Sequence, residues 1–80
     1  MDIWVAQDDI NINNMNAEVL CVHTDFEDIK KEVERCFESS IEPHETTKWV
    51  RIDEYTYKYV LIDLDNEMDI ALITKHTIHN

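Results

Sequence analysis

Residues 55–73 of this 80-residue chain read YTYKYVLIDLDNEMDIALI. The two arms of this stretch are rich in aromatic and β-branched residues, which suit strands, and they flank a polar cluster over residues 65–67. The pattern predicts a two-stranded antiparallel hairpin with an acidic turn. Side chains alternate between the two faces of a strand. One face of the first arm carries Tyr55, Tyr57, Tyr59 and Leu61, and the other carries Val60, Ile62 and Leu64.

Four acidic residues alternate around the predicted turn: Asp63, Asp65, Glu67 and Asp69. Alternate residues of an extended chain share one side at a spacing of roughly 6.6 Å, so we expect these carboxylates to form a row. The spacing superficially resembles that of an EF-hand calcium loop. However, Met68 stands where that loop needs Gly, and Thr74 stands where it needs a bidentate Glu. The sequence therefore predicts no calcium site.

Outside the hairpin, the sequence predicts strands over residues 2–7, 17–23 and 46–54, and the second hairpin arm over 69–77. Residues 10–16 are expected to form a polar surface loop. Glycine is absent, although average usage is about 7%, so Asn and Asp are expected to make the turns. The absence of Gly also excludes a glycine-rich phosphate-binding loop.

One helix is predicted after the second strand. Thr24 and Glu27 form a capping box at its start. Apolar residues then recur at three- and four-residue spacing, as in a helix that covers one face of a sheet; they are Phe26, Ile29, Val33, Cys36, Phe37 and Ile41. The order β-β-α-β-β-β predicts a single α+β domain over residues 1–80, a two-layer sandwich in which one helix covers an antiparallel sheet of about five strands.

The tyrosine face of the hairpin has two interpretations. If the helix covers the face of Val60 and Ile62, the tyrosine face is open, and Tyr55, Tyr57 and Tyr59 are candidates for contact with a partner. Alternatively, the tyrosines pack in the core or in a dimer. Stacking on nucleic-acid bases is disfavoured, because such sites need a basic surface for the phosphate backbone.

The cysteines and histidines form no site that spacing alone identifies. Cys21 and His23 share one face of the second predicted strand, but two ligands do not make a zinc site. His76 and His79 are predicted to lie on opposite faces of the last strand. No Ser or Cys has an identifiable base, so the sequence predicts no enzyme, catalytic residue, cofactor or metal. The two cysteines are expected to be reduced in a cytoplasmic protein without a membrane segment.

Charge is the strongest functional signal in the sequence. Asp and Glu total 18 and Lys and Arg total 7, which gives a net charge of −11. An acidic surface repels nucleic acid and steers association toward basic partners. The leading hypothesis is therefore a small binding protein that inhibits a nucleic-acid-binding protein by occupying its basic surface. Its predicted contacts are Asp63, Asp65, Glu67, Asp69, Tyr55, Tyr57 and Tyr59.

Two alternatives remain open at this point. The first is an immunity or antitoxin-like protein that neutralises a basic nuclease, and the second is a homodimeric structural or assembly subunit. Ile outnumbers Gly, Ala, Pro and Arg together, which indicates an AT-rich genome. In size, acidity and composition the chain resembles the small anti-CRISPR and anti-restriction inhibitors of phages. The resemblance is one of type and rests on no shared motif.

Overall fold

A computed structural model describes residues 1–8 and 18–79. Within these residues the elements are β1 (Asp2–Asp8), β2 (Val19–His23), α1 (Phe26–Glu38), β3 (Thr46–Asp53), β4 (Thr56–Asp63) and β5 (Asn66–Thr77). The predicted order β-β-α-β-β-β is confirmed. The loop predicted over 10–16 and the first residue of the second predicted strand, Ala17, lie outside the described residues.

The strands form one antiparallel sheet in the order β2-β1-β5-β4-β3. Helix α1 packs on one face, so the predicted α+β two-layer sandwich is confirmed. The central strand is β5, and β2 and β3 are the outer strands of the described sheet. No helix in the described part of the chain is long and apolar enough to cross a membrane.

The core lies between α1 and the aromatic face of the sheet. Ile29 and Val33 are 0% exposed, and they belong to one buried cluster with Tyr59 and Ile73. The helix therefore covers the tyrosine face. Of the two interpretations of this face, packing in the core applies to Tyr57 and Tyr59. Large aromatic side chains offer more apolar area than valine, so covering this face removes more apolar surface from water. Partly buried side chains complete the core: Trp4, Leu20, Cys21, Phe26, Phe37, Trp49, Tyr57 and Leu61.

Charged side chains surround Val60 on the opposite face of the sheet. Val60 is 3% exposed but lies outside the core cluster, and its cross-strand partners are Lys48 and Asp69. Lys48 Nζ is 2.6 Å from Glu67 Oε1, and Lys58 Nζ is 3.2 Å from Asp69 Oδ2. The hydrocarbon stems of the lysines can shield valine from water while their ammonium groups stay exposed.

A β-bulge at Ile70 separates the buried and charged parts of β5. Tyr59 pairs with Ala71 but Val60 pairs with Asp69, so Ile70 is an extra residue on β5. Strict alternation would place Asp69 on the core face with Ala71. The bulge instead brings Ile70 into the core and turns Asp69 to the opposite face.

The helix begins one residue later than the sequence predicts. Asp25 is the N-cap, and its Oδ1 accepts a hydrogen bond from the backbone N–H of Asp28 at 3.1 Å. The predicted capping box of Thr24 and Glu27 is therefore wrong. A carboxylate is a stronger acceptor than a hydroxyl and is further stabilised by the positive end of the helix dipole.

The turn between β4 and β5 also differs from the prediction. Asp63 pairs with Asn66, which leaves Leu64 and Asp65 as the turn, and Asn66 and Glu67 belong to β5. Leu64 has a φ of 56° and is 82% exposed. The expectation that Asn or Asp takes the left-handed position in this turn is wrong, because the cross-strand register places Leu64 there.

Replacing Ile29 with Ala is expected to lower the free energy of unfolding by about 2–5 kcal/mol, since it opens a cavity in the buried cluster. The matched change Ile52→Ala, at a side chain that is 52% exposed, is expected to cost only about 0.5 kcal/mol. Urea denaturation of both variants measures the difference. Equal losses would contradict the assignment of the core to the tyrosine face.

Replacing Leu64 with Gly is expected to raise the free energy of unfolding by up to about 1 kcal/mol. A left-handed backbone costs a residue with a Cβ about 1–2 kcal/mol, which exceeds the entropic cost of Gly of about 0.5–1 kcal/mol. Asp65, whose φ is not positive, provides the control, and Asp65→Gly is expected to destabilise. Thermal denaturation that shows equal destabilisation by both changes would contradict strain at Leu64.

Candidate functional site

Among the described residues, the most exposed large apolar side chain lies at the β4–β5 tip, which comprises residues 63–66. Leu64 projects there between Asp63 and Asp65. Asp63 Oδ1 lies 3.3 Å from His44 Nε2, so the loop before β3 packs beside the tip. Glu45 comes from the same loop, and ligand atoms of His44, Glu45 and Asp63 lie within 4.8 Å of one another. The tip and the loop beside it thus bring carboxylates from two segments close to one exposed apolar residue.

The loop before β3 is held by its own acidic side chains. Glu45 Oε1 accepts a hydrogen bond from the backbone N–H of Glu42 at 2.8 Å, and the backbone N–H of Glu45 donates to the carbonyl oxygen of Glu42 at 2.9 Å. These two contacts close a turn that includes Pro43 and His44. Sequence spacing missed this contribution, because residues 42–45 and 63 are distant along the chain.

The predicted row of four carboxylates is split by the sheet. Glu67 and Asp69 lie on the face opposite α1, where Lys48 and Lys58 pair with them. By alternation along β4, Asp63 lies on the other side. The expectation of one continuous row is therefore wrong, and the lysines neutralise two of its four members. Asp63 and Asp65 are the predicted acids that remain beside the exposed Leu64.

The three predicted tyrosines have different environments. Tyr59 is 3% exposed, its hydroxyl donates to Thr47 Oγ1 at 3.0 Å, and its ring stacks on Trp49 with centroids 4.5 Å apart. The Tyr57 ring centroid is 4.5 Å from that of Phe26. Tyr57 and Tyr59 therefore stabilise the core. Tyr55 is 55% exposed in the β3–β4 turn, so it can still contact a partner.

A second group of polar side chains joins β2 to α1. Ligand atoms of Cys21, His23 and Glu32 lie within 4.8 Å of one another. His23 Nε2 is 2.6 Å from Glu32 Oε2, and Arg35 Nη2 is 3.7 Å from Glu32 Oε1. The sequence pattern predicts Cys21 and His23 on one face of a strand but does not identify a third residue of the group. The available signal was that Glu32 borders the apolar stripe of α1 and so faces the sheet at its margin.

The Cys21 thiol is protonated at neutral pH. Burial raises its pKa to about 12, and the Glu32 carboxylate, which accepts its hydrogen bond, adds to the increase. The pKa of the Glu32 carboxyl group is lowered, most by the hydrogen bond from Cys21 and next by the hydrogen bond with His23. The thiolate is the nucleophilic form of cysteine, so this environment does not support nucleophilic catalysis by Cys21.

No protein-family model matches this chain, and neither a curated protein nor a solved structure matches it. The charges and contacts of the described residues are therefore the basis for assigning a function.

The two cysteines are expected to differ in alkylation by iodoacetamide. Cys36 is exposed and should react at pH 8, whereas Cys21 should react much more slowly because its thiol stays protonated. The reactivity of Cys21 should rise as the pH approaches 12. Mass spectrometry of peptides from labelled parent and Cys36→Ser protein measures each rate. Equal rates at pH 8 would contradict the assigned environment of Cys21.

Proposed function

We propose that this chain is a small acidic binding protein without enzymatic activity, which inhibits a nucleic-acid-binding protein by occupying its basic surface. The inhibitor acts in the cytoplasm as a mimic of nucleic acid, in the manner of phage anti-defence proteins such as anti-CRISPR proteins. Its contact surface includes the β4–β5 tip. The observation that carries this proposal is the net charge of −11 together with an exposed leucine flanked by carboxylates.

The distribution of basic residues supports an acidic contact surface. Among pairs within the described residues, four of the seven Lys and Arg side chains form ion pairs with acids: Arg35, Lys48, Lys58 and Lys75. These pairs balance four acids, which leaves fourteen acids against three bases from the totals of 18 and 7. Long-range attraction to a basic partner is therefore strong, and like-charge repulsion disfavours acidic partners.

The β4–β5 tip has the composition of an interface centre with a charged rim. Leu64 supplies apolar area, and Asp63, Asp65 and Glu45 supply carboxylates near it. Protein interfaces commonly combine a desolvated apolar centre with polar groups at the margin. Lysine and arginine side chains that bind phosphate can pair equally with carboxylates, since both ligands present negatively charged oxygens. The tip can therefore occupy a phosphate-binding groove.

The basic surfaces that hold nucleic acid are the natural targets of such a protein. Their lysines and arginines are arranged to neutralise rows of phosphates. An acidic protein that covers them competes directly with nucleic acid and needs no catalytic step.

The double change Asp63→Asn and Asp65→Asn is expected to slow association with a basic nucleic-acid-binding partner roughly threefold to tenfold at low salt. Glu18→Gln with Glu27→Gln is the matched control, because it removes the same charge from residues that flank β2, and β2 lies two strands away from β5 in the sheet. The control is expected to slow association by less than about twofold. Stopped-flow or surface-binding kinetics at several salt concentrations measures these rates.

The effect of the tip variant should fade as salt is added, because the Debye length is about 10 Å at 0.1 M and about 3 Å at 1 M. Far-UV circular dichroism provides the check that both variants remain folded. If the tip variant associates as fast as the parent at low salt, the tip is not the contact. If both variants slow association equally, total charge alone steers the encounter.

A homodimeric assembly subunit is the second candidate, and strand β3 is the observation that favours it. In the described part of the sheet, β3 has no neighbour on its outer edge and runs for eight residues. An uncovered edge strand can pair with the same strand of a second copy. A dimer that persists on dilution and retains no basic partner would favour this candidate. An immunity or antitoxin-like protein would instead be identified by a basic nuclease as its partner.

A further inference from the structure

Cys21, His23 and Glu32 form a mixed group of metal-ligand types outside the β4–β5 tip. Thiolate, imidazole and carboxylate are the three donors that proteins use for zinc. Each of these residues offers one ligand atom, and the three atoms lie within 4.8 Å of one another. A cluster of carboxylates alone would be common on so acidic a surface. Convergence of three different donors from two elements is a more specific arrangement.

The distances allow a tetrahedral zinc ion after small side-chain rotations. Zinc lies about 2.3 Å from sulfur and about 2.0–2.2 Å from nitrogen or oxygen, so tetrahedral ligand atoms are roughly 3.4–3.6 Å apart. His23 Nε2 and Glu32 Oε2 are now 2.6 Å apart, and they would separate by about 0.8 Å to admit the ion. The largest separation within the group is below 4.8 Å and would close by up to about 1.2 Å.

The backbone that carries these ligands is regular. Cys21 and His23 alternate on β2 and so project on the same side, and Glu32 lies in the middle of α1. β2 is paired with β1, whose Ala6 and Trp4 lie directly opposite Cys21 and His23. Ligands on paired strands and helices keep their positions better than ligands on loops.

The surroundings orient the group and leave access to it. His23 and Glu32 side chains are about one-third exposed, and both border a surface cleft of about 320 Å³ that also includes Asp28, Lys31 and Arg35. Arg35 Nη2 lies 3.7 Å from Glu32 Oε1, and the other carboxylate oxygen of Glu32, Oε2, lies beside His23 Nε2. Contacts of this kind to a ligating carboxylate fix its orientation. The cleft can admit water as a fourth ligand.

The charges of the ligands match a divalent ion. Thiolate and carboxylate contribute two negative charges, which balance Zn²⁺, and His23 can bind as neutral imidazole. Lys31 and Arg35 oppose a cation, but the chain as a whole carries −11. The Cys21 thiol would lose its proton to the solvent when sulfur binds the ion.

We infer that Cys21, His23 and Glu32 bind one zinc ion, with water in the fourth position, and that the ion ties the outer strand β2 to helix α1. This site is separate from the proposed inhibitory surface and does not rest on it. In a domain of 80 residues, whose core is small, such a link adds substantially to stability. The site was missed by sequence because Glu32 meets Cys21 and His23 only in the folded chain.

Isothermal titration of the metal-free protein with zinc chloride tests the site. The expected result is one ion per chain, with binding weakened at least about tenfold by either Cys21→Ser or Glu32→Gln. The matched changes Cys36→Ser and His44→Ala are expected to keep the affinity within about twofold, because neither residue belongs to the group of Cys21, His23 and Glu32. Titration in buffers of different ionisation enthalpy should show release of the thiol proton.

Cobalt provides a second readout, since Co²⁺ in place of zinc should give a thiolate-to-metal charge-transfer band that disappears in Cys21→Ser. Zinc should also raise the melting temperature of the parent protein and not that of Glu32→Gln. Failure of the folded parent to bind zinc at micromolar concentration would overturn the inference. It would also be overturned if His44→Ala abolished binding while Cys21→Ser left it unchanged.

Discussion

Ile29 and Val33 of α1 are fully buried against the aromatic face of the sheet. This packing determines which face of the sheet is covered and which side chains of α1 meet those of the strands. It buries Tyr59 in the core and partly buries Tyr57 against it. It also brings Glu32, on the same helix, to Cys21 and His23 of β2. The hydrophobic effect thus forms the core and also brings together, at the edge of the core, three polar side chains of the types that bind zinc.

The face of the sheet opposite α1 carries charged side chains. An antiparallel sheet can leave one face toward water if its side chains alternate in polarity. Here the buried Val60 lies opposite Lys48 and Asp69 on the neighbouring strands. The bulge at Ile70 lets Asp69 pair with Lys58 on this face while Ile70 enters the core. Paired charges on this face contribute little net field. The unbalanced negative charge therefore comes from other acids, including those at the β4–β5 tip.

Much of the fold could be predicted from residue patterns. The strand-like runs of residues and the apolar stripe of α1 were sufficient for the element order and for the two-layer class. The covered face could not be predicted, because both faces of β4 carry apolar side chains and periodicity does not rank them. The bulge at Ile70 and the left-handed Leu64 follow from cross-strand register, which a single segment does not encode. For the candidate site, the alternation of acids in the sequence named Asp63 and Asp65, which stay predictions, whereas Glu45 could be added only from its contact with Asp63 in the folded chain.

Affinity capture tests whether the acidic surface binds a nucleic-acid-binding protein. The immobilised protein is incubated with a bacterial lysate, and bound proteins are eluted with rising salt and with competing DNA or RNA. We predict that a basic nucleic-acid-binding protein is retained, is released at moderate salt, and is displaced by nucleic acid. The captured protein should also lose its own nucleic-acid binding when this chain is added. Retention of no such protein, or retention that competing nucleic acid leaves unchanged, would contradict the proposed mimicry.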